Sequence, residues 1–351
     1  MKIKKTIIDH IEKCYAVTEI SYDGNNYLLC SAEGKGPCRS YSLQGDVVET
    51  LWDKPGGVMT LLQLPDYDQP VILATQGFFS PDNAAKARIV YYYRKENQWH
   101  CETLCDMPFV HRFGVIGSQD KKYLIAATIK SDSAFDGDWS SPGKIWIAEL
   151  PENIFHYNEE NPLDFFPLIS DLYKNHGFSI KHEGEIQYAI IGTENGVYTI
   201  YPPEEKEKKW VYRKILDEPA SDLLYQDFDN DGEKELLILS PFHGEKIKIF
   251  KKGRNGEFIK VYERISPMPF AHAIYGGNLY GKECAFIGGR EGKKELIAIS
   301  FDEEKGNYIE ELIDKGAGAA NCMVFNVDNE TKLLAANRET NEVAIYSFRR
   351  V

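Results

Sequence analysis

Short runs of apolar residues, separated by polar turns, recur along the whole chain, and helical periodicity is almost absent. Seven runs of one kind are rich in β-branched and aliphatic residues: NYLLCSA, PVILATQ, KYLIAAT, QYAIIGT, KELLILS, ECAFIGG and KLLAANR. A polar turn and a second apolar strand usually follow, and then comes an amphipathic strand such as QWHCETLC or KWVYRKIL. This pattern predicts an all-β fold.

These runs belong to a larger repeat. One further strand precedes each run, so that four strands recur about every 40 to 65 residues, which is typical of β-propeller blades. The first strands begin at seven equivalent positions: Tyr15, Met59, His111, His176, Asp222, His272 and Asn321. The last repeat has three strands, and KIKKTIIDHI near the N-terminus supplies the fourth. We therefore predict a single domain over residues 1–351, a seven-bladed β-propeller closed by the N-terminal strand, which leaves no bare edge.

Composition limits the partners and the compartment. The chain has 41 basic and 54 acidic residues and a net charge of -13, which argues against nucleic acid or an anionic membrane as the main partner. No apolar stretch of about 18 residues predicts a membrane span, and the N-terminus does not resemble a signal peptide. The seven cysteines lack a paired CxxC pattern, so we predict reduced thiols in the cytoplasm. Cys101 and Cys105 are expected on one face of a strand, as buried thiols.

Three of the eight histidines fall in the column of first-strand positions. In a propeller these positions converge at one face of the central channel. Three imidazoles and a carboxylate aimed at one axis match a divalent metal site for Zn, Mn, Ni or Fe with an open position. This interpretation makes His111, His176, His272 and Asp222 the metal ligands. The alternative is that the same residues line a water-filled channel.

A second polar column follows the second strands: Glu33, Gln76, Lys130, Glu194, His243, Arg290 and Arg338. Arg290 and Arg338 are predicted to bind a carboxylate or phosphate, or else to form surface salt bridges. The insertion Lys130–Lys144 carries Phe135 and Trp139, and the preceding repeat carries Phe79. These aromatic side chains are expected either to stack on a sugar ring or to pack against neighbouring loops. The predicted substrate-binding residues are Arg290, Arg338, Lys130, Glu194 and Trp139.

One turn is rich in aspartate. The segment QDFDNDGEKELLIL, residues 226–239, resembles the FG-GAP or VCBS class of propeller repeat. Asp227, Asp229, Asp231 and Glu235 have the spacing of oxygen ligands for a structural Ca²⁺. A solvated acidic turn without a metal is the alternative.

No nucleophile elbow, phosphate-binding glycine loop or dinucleotide fingerprint occurs, which disfavours nucleophilic hydrolysis and redox chemistry. The segments SPFHGE and DFDNDGEKE, together with the histidines that open the inner strands, resemble the propeller domain of aldos-2-ulose dehydratase. Oligogalacturonate lyase is similar in plan, with a metal held by histidines on the axis of a seven-bladed propeller. The resemblance implies a metal-dependent carbohydrate lyase or dehydratase. Such an enzyme acts by β-elimination on a keto- or acidic sugar bound at the axial mouth.

The β-elimination chemistry suggests a role for the metal ion and for individual residues. A divalent ion stabilises the enolate formed when the α-proton leaves. His243, or a ring histidine not bound to metal, is the candidate base, because imidazole titrates near neutral pH. Tyr15 is the candidate donor of a proton to the leaving oxygen. The alternative function is a non-catalytic propeller that binds a protein or glycan at the same face, and no motif predicts the oligomeric state.

Overall fold

The computed structural model describes residues 2–118, 121–203 and 209–349 of the chain. These residues form 28 β-strands and one 3-10 turn at Ile154–His156, and none of them forms an α-helix. The predicted all-β class is confirmed. Within the described residues no helix is long and apolar enough to span a bilayer. The chain divides into two compact units, one of Met1–Gly56 with Leu224–Val351 and the other of Gly57–Leu223.

The unit of residues 57–223 contains two antiparallel sheets. The first is a four-stranded meander of β6 (Leu61–Gln63), β7 (Val71–Gln76), β8 (Arg88–Lys95) and β9 (Gln98–Asp106). The second has eight strands: β10 (Val110–Gly117), β11 (Lys122–Lys130), β12 (Pro142–Glu149), β13 (Phe166–Leu172), β14 (Gly177–Glu183), β15 (Ile186–Thr193), β16 (Gly196–Tyr201) and β17 (Val211–Leu216). It consists of two meanders, β10–β13 and β14–β17, which are joined through the pair Gly117 and Gln187.

The other unit is built from four-stranded antiparallel sheets. One sheet comprises β2 (Cys14–Tyr22), β3 (Asn25–Ala32), β4 (Cys38–Tyr41) and β5 (Val47–Trp52). Next along the chain come β18 (Asp222–Gln226), β19 (Glu235–Ser240), β20 (Lys246–Lys252) and β21 (Phe258–Glu263). The first two residues of β18 belong to the unit of residues 57–223. It is followed by β22 (Ala271–Leu279), β23 (Lys282–Gly289), β24 (Glu295–Asp302) and β25 (Asn307–Lys315). The last sheet combines β26 (Ala319–Val327), β27 (Glu330–Asn337) and β28 (Glu342–Arg349) with β1 (Lys2–His10).

Burial explains why the second strand of each meander is so apolar. Strands β7 and β19 are buried along their whole length, whereas most residues of the outer strand β17 and half of those of β21 are exposed. Apolar side chains of neighbouring sheets share cores, as where Phe286 of β23 lies in one cluster with Leu333 of β27 and Tyr346 of β28. Strands buried on both faces read as continuous apolar runs, which is why the repeat is visible in the sequence.

The two ends of the chain pair in one sheet. Strand β1 runs antiparallel to β28, from Lys2 opposite Arg349 to His10 opposite Glu342, with an irregularity between Ile7 and Asp9. The N-terminal segment thus supplies the fourth strand of the C-terminal sheet. Without it, β28 would present a row of unpaired backbone groups at an edge.

The predicted burial is confirmed for Cys105 but is wrong for Cys101, and the two cysteines do not share a face of the strand. Strand β9 has a bulge opposite Ile89 and Val90, which pair with Cys105 and Thr103, and this leaves Leu104 between them. One extra residue changes the face on which later side chains lie. As a result, Cys105 is buried and Cys101 is exposed.

Removing residues 2–10 should destabilise the protein, because β28 loses its only partner on that side. We expect the Tm to fall by about 3 °C or more, which corresponds to at least ~1 kcal/mol for a unit of this size. Thermal denaturation followed by circular dichroism measures the change. Lys4→Ala, an exposed substitution in β1, is the matched control and should leave the Tm unchanged. A truncated chain as stable as the full chain would contradict the importance of the pairing.

Candidate functional site

A β-bulge recurs near the start of the first strands. The pairing of the first with the second strand skips one residue in four sheets, and the skipped residues are Tyr15, His111, His272 and Ala320. Bulges re-aim the side chain that they carry. The backbone therefore places Tyr15, His111 and His272 at structurally equivalent positions, as the sequence predicted for these three.

His176 and His272 make the same contact. The Nδ1 atom of His176 lies 2.8 Å from the carbonyl oxygen of Ser221, and Nδ1 of His272 lies 2.8 Å from that of Ala320. A carbonyl oxygen can only accept, so Nδ1 carries the proton in both rings. In the neutral imidazole the lone pair is then on Nε2. This is the tautomer that histidine metal ligands commonly have when a backbone carbonyl orients them.

The shared contact also shows that two members of the predicted first-strand column are misplaced by one residue. Ser221 and Ala320 occupy the same place relative to the histidine of the preceding meander, and Ala320 is a bulge residue. The predicted column members Asp222 and Asn321 lie one residue further along. Because side chains alternate across a strand, a shift of one residue changes the face on which a side chain lies.

Two imidazoles are in contact in the unit of residues 57–223. The ring centroids of His111 and His176 are 4.4 Å apart with an interplanar angle of 37°, and Phe78 meets His111 edge-on at 5.0 Å. His111 is 3% exposed and His176 is 1% exposed. The hydroxyl of Thr60 donates to the carbonyl oxygen of His111 at 2.9 Å. The two rings are thus a compact, buried pair of candidate metal ligands, and in the neutral His176 ring the lone pair is on Nε2.

Asp222 interacts with Arg112 in the same unit. Nη2 of Arg112 is 3.6 Å from Oδ2 of Asp222, and the backbone amide of Leu223 donates to Oδ1 at 2.9 Å. Burial raises the pKa of Asp222 from its ordinary 3.8 to about 6, although Arg112 opposes the shift. Arg112, which directly follows His111 in the sequence, was not among the predicted site residues. Asp222 can serve as a metal ligand only if this ion pair opens.

The other unit contains a tyrosine–histidine pair. The Tyr15 hydroxyl lies 3.2 Å from Nε2 of His272, and since Nδ1 of His272 is the protonated nitrogen, the hydroxyl donates to Nε2. Both residues are 2% exposed. His243 lies between Phe242 and Phe270, with centroid distances of 3.8 and 4.2 Å, and its ring is 5.4 Å from that of His272. Tyr15 and His272 thus form a hydrogen-bonded acid–base pair.

The predicted substrate-binding arginines are engaged by carboxylates. Arg338 binds Glu33 and also Glu339, the latter at 2.8 Å, and Arg290 binds Glu339 at 2.9 Å. The Arg290 guanidinium also lies 4.4 Å from the centroid of the Phe270 ring. Burial raises the pKa of Glu339, but the two arginines outweigh it and hold the pKa below its ordinary value. A substrate carboxylate would have to compete with these internal partners.

Lys130, Trp139 and Glu194 are likewise partnered. The Lys130 ammonium binds Asp82 at 2.6 Å and the carbonyl oxygen of Asp138 at 2.5 Å, and it lies 4.4 Å from the centroid of the Trp139 ring. Glu194 lies 3.5 Å from the ammonium of Lys174. Lys130 is fully buried, so it anchors the long loop that follows β11.

The four predicted calcium ligands form one cluster. One ligand atom from each of Asp227, Asp229, Asp231 and Glu235 lies within 4.8 Å of the others. The ammonium of Lys251 lies among them, 2.5 Å from Asp229, 2.6 Å from Asp231 and 3.2 Å from Glu235. Burial opposes the Lys251 charge, but these hydrogen bonds outweigh it and raise the pKa of Lys251.

Backbone amides hold two further carboxylate oxygens of this turn, whereas Oδ1 of Asp227 and Oδ1 of Asp229 are buried and accept no hydrogen bond from the described residues. Gly232 donates to Asp227 at 2.9 Å, and Phe228 donates to the fully buried Glu235 at 2.7 Å. The turn is therefore shaped around a positive charge, and Lys251 supplies one. Calcium would require Lys251 to leave, so the residues do not fit Ca²⁺ in the arrangement present here.

Comparisons with known proteins are informative only for the fold. No protein-family model matches the sequence, and no curated protein matches it. The chain is similar to the crystal structure of BBS1N in complex with ARL6DN, soaked with mercury, with a TM-score of 0.60 and 10% identity over 99% of this chain and 96% of that one. The lead-soaked crystal gives a TM-score of 0.59 and 10% identity over 98% and 94%. The chain thus has an all-β, multi-sheet, propeller-like fold.

Replacing Lys251 should create a calcium-responsive turn. Lys251→Met removes the ammonium and leaves clustered carboxylates, so we expect millimolar Ca²⁺ to raise the Tm of this variant by about 3 °C or more through binding to the folded state. The wild type should not respond. Lys252→Met, an exposed neighbour in β20, is the control. A wild type stabilised by Ca²⁺, or an unresponsive Lys251→Met variant, would contradict the role assigned to Lys251.

The raised pKa of Asp222 predicts a pH-dependent stability in metal-free protein. The folded state holds this proton up to about pH 6 and the unfolded state only up to about 3.8, so stability falls as the pH rises through that window. Relative to Asp222→Asn, the wild type should lose up to about 3 kcal/mol of unfolding free energy between these limits. Denaturant titrations with EDTA measure the difference, with exposed Asp136→Asn as the control. A difference that does not change with pH would refute this assignment.

Proposed function

We propose that the chain is a closed seven-bladed β-propeller that acts as a metal-dependent carbohydrate lyase or dehydratase. Three observations support the architecture. The strands form seven successive four-stranded meanders, β1 pairs with β28, and the same bulge and the same histidine contact recur in different meanders. The last observation indicates repeats of one kind rather than unrelated sheets.

The observation that carries the chemistry is the hydrogen bond from Tyr15 to Nε2 of His272. His272 is held by Ala320 through Nδ1, so its Nε2 is fixed as an acceptor towards the Tyr15 hydroxyl. In a β-elimination a base removes the α-proton and an acid protonates the departing oxygen. We assign Tyr15 as the acid that protonates the departing oxygen, His272 as the residue that orients the Tyr15 hydroxyl, and His243 as the base that takes the α-proton. The His243 ring is stacked on Phe242 and tilted against Phe270.

His111 and His176 fit a divalent metal. Both are buried, their rings are in contact, and Nδ1 of His176 is fixed on a backbone carbonyl as in orienting contacts of metal ligands. When bound, such an ion would polarise the carbonyl next to the acidic C–H bond. His272 is less suited to this role than the sequence suggested, because Tyr15 already occupies its Nε2. Asp222 is less suited because Arg112 engages its carboxylate.

A second function has its own support. The arginines predicted to bind an acidic substrate are paired with Glu33 and Glu339, and the similar structure BBS1N is described in a complex with ARL6DN. Both observations favour a non-catalytic propeller that binds a protein partner. This candidate requires no metal.

Metal content separates the two functions. Untagged protein should contain near-stoichiometric zinc, manganese, nickel or iron by elemental analysis. His176→Asn should lose it, because the asparagine amide can keep the hydrogen bond to Ser221 while the Nε2 lone pair is gone. His182→Gln, an exposed histidine of β14, should keep the metal. Wild type without metal after soaking, or metal retained by a folded His176→Asn variant, would contradict the proposal.

The same proteins should then be tested for elimination from keto-sugars and uronides, followed by the ultraviolet absorbance of an unsaturated product. Tyr15→Phe should lower kcat by about a hundredfold or more, since it removes the proton donor. The metal content of Tyr15→Phe should stay at the wild-type level. Equal loss of activity and metal would show that Tyr15 acts through the metal site and not as the acid.

A further inference from the structure

A cavity unrelated to the predicted histidine column lies within the unit of residues 57–223. Its volume is about 510 Å³, which falls in the range of small-molecule sites. The walls come from the end of β9, the following turn, β11, β12 and a segment before β13. The residues used below are Met107, Pro108, Thr128, Lys144, Trp146 and Leu163.

The segment before β13 forms a fixed wall. The amide of Leu163 donates to the carbonyl oxygen of Leu104 at 2.8 Å, and the Tyr91 hydroxyl donates to the carbonyl oxygen of Tyr157 at 2.8 Å. Leu163 and Met107 are buried, whereas Pro108 and Pro162 are exposed at the opening. The cavity is therefore preformed and reachable, and much of its wall is apolar.

Thr128 fixes the aromatic side of the cavity. Its hydroxyl oxygen accepts from the Trp146 indole nitrogen at 3.3 Å and from the backbone amide of Lys144 at 3.0 Å. The Lys144 ammonium lies 5.3 Å from the centroid of the Trp146 ring. An indole face and an ammonium are thus held side by side on β12.

Of the charged side chains that line the cavity, the Lys144 ammonium and the Asp164 carboxylate have no ion-pair partner among the described residues. Lys130 binds Asp82, and Arg88 lies 3.3 Å from Asp106 and 3.9 Å from Glu159. Lys144 is half-buried, and no carboxylate of the described residues 2–118, 121–203 and 209–349 lies within ion-pair distance of it. A partly desolvated cation of this kind is stabilised by an anionic partner.

We propose that this cavity binds a small organic acid with a flat, apolar body, such as an aromatic carboxylate. The ring would lie against the Trp146 indole and the apolar side chains of Met107 and Leu163, and the carboxylate would bind the Lys144 ammonium. This site is independent of the proposed elimination, because none of its groups belongs to the histidine or tyrosine positions. Binding should persist in EDTA.

The test is isothermal titration calorimetry on the full chain in EDTA, with 2-naphthoate and its neutral amide, 2-naphthamide, as matched probes. The acid should bind at least about tenfold more tightly than the amide, as expected for one charge-assisted hydrogen bond. Lys144→Met should abolish this preference and Lys144→Arg should keep it. Lys95→Met, an exposed lysine of β8, should behave as wild type. Trp146→Leu should weaken binding of both probes.

Three results would overturn the proposal. They are no binding of 2-naphthoate at millimolar concentration, equal affinity for acid and amide in the wild type, and an unchanged preference in a folded Lys144→Met variant. Galacturonate serves as a further probe, since it has the carboxylate without the flat apolar body. Tighter binding of galacturonate than of 2-naphthoate would refute the apolar ligand class assigned here.

Discussion

The hydrogen bond from a histidine Nδ1–H to a backbone carbonyl is the interaction on which the candidate site depends. It occurs twice, from His176 to Ser221 and from His272 to Ala320. Each bond joins the start of one meander to the start of the next, so it orients the imidazole and also fixes the spacing of the strands. Because the carbonyl accepts the Nδ1 proton, the tautomer follows from the backbone fold and not from the local sequence. The proposed metal ligation by Nε2 of His176 and the hydrogen bond from Tyr15 to Nε2 of His272 both depend on this bond.

Charge pairing at the ends of the second strands limits what those residues can bind. One network joins side chains of alternating charge, in the order Glu33, Arg338, Glu339 and Arg290. The Lys130 ammonium is in contact with Asp82 and the Trp139 ring. Breaking a buried pair leaves an uncompensated charge, which costs several kcal/mol. These side chains therefore mainly stabilise the loops that carry them. The less engaged ammonium of Lys144 is the better candidate for an anionic ligand.

Sequence reasoning recovered the features that repeat. The second strands are visible because they are buried on both faces, and the equivalence of Tyr15, His111 and His272 is visible because it recurs with the strands. It missed what depends on single-residue register or on distant partners. The bulge at Ala320 shifts the column away from Asn321, and Arg338 meets Glu33 from 305 positions away. The Lys251 ammonium in the acidic turn could have been suspected, because β20 follows that turn directly.

The most direct test of this account is the tautomeric state of the two histidines. Nitrogen-15 NMR of histidine-labelled protein resolves which ring nitrogen carries the proton, and His176→Asn and His272→Asn assign two of the eight histidine signals. We expect Nδ1 to carry the proton in the neutral form of both rings. A proton on Nε2, or rapid exchange between the two nitrogens, would mean that the backbone carbonyls do not hold these rings, and the proposed site would lose its basis.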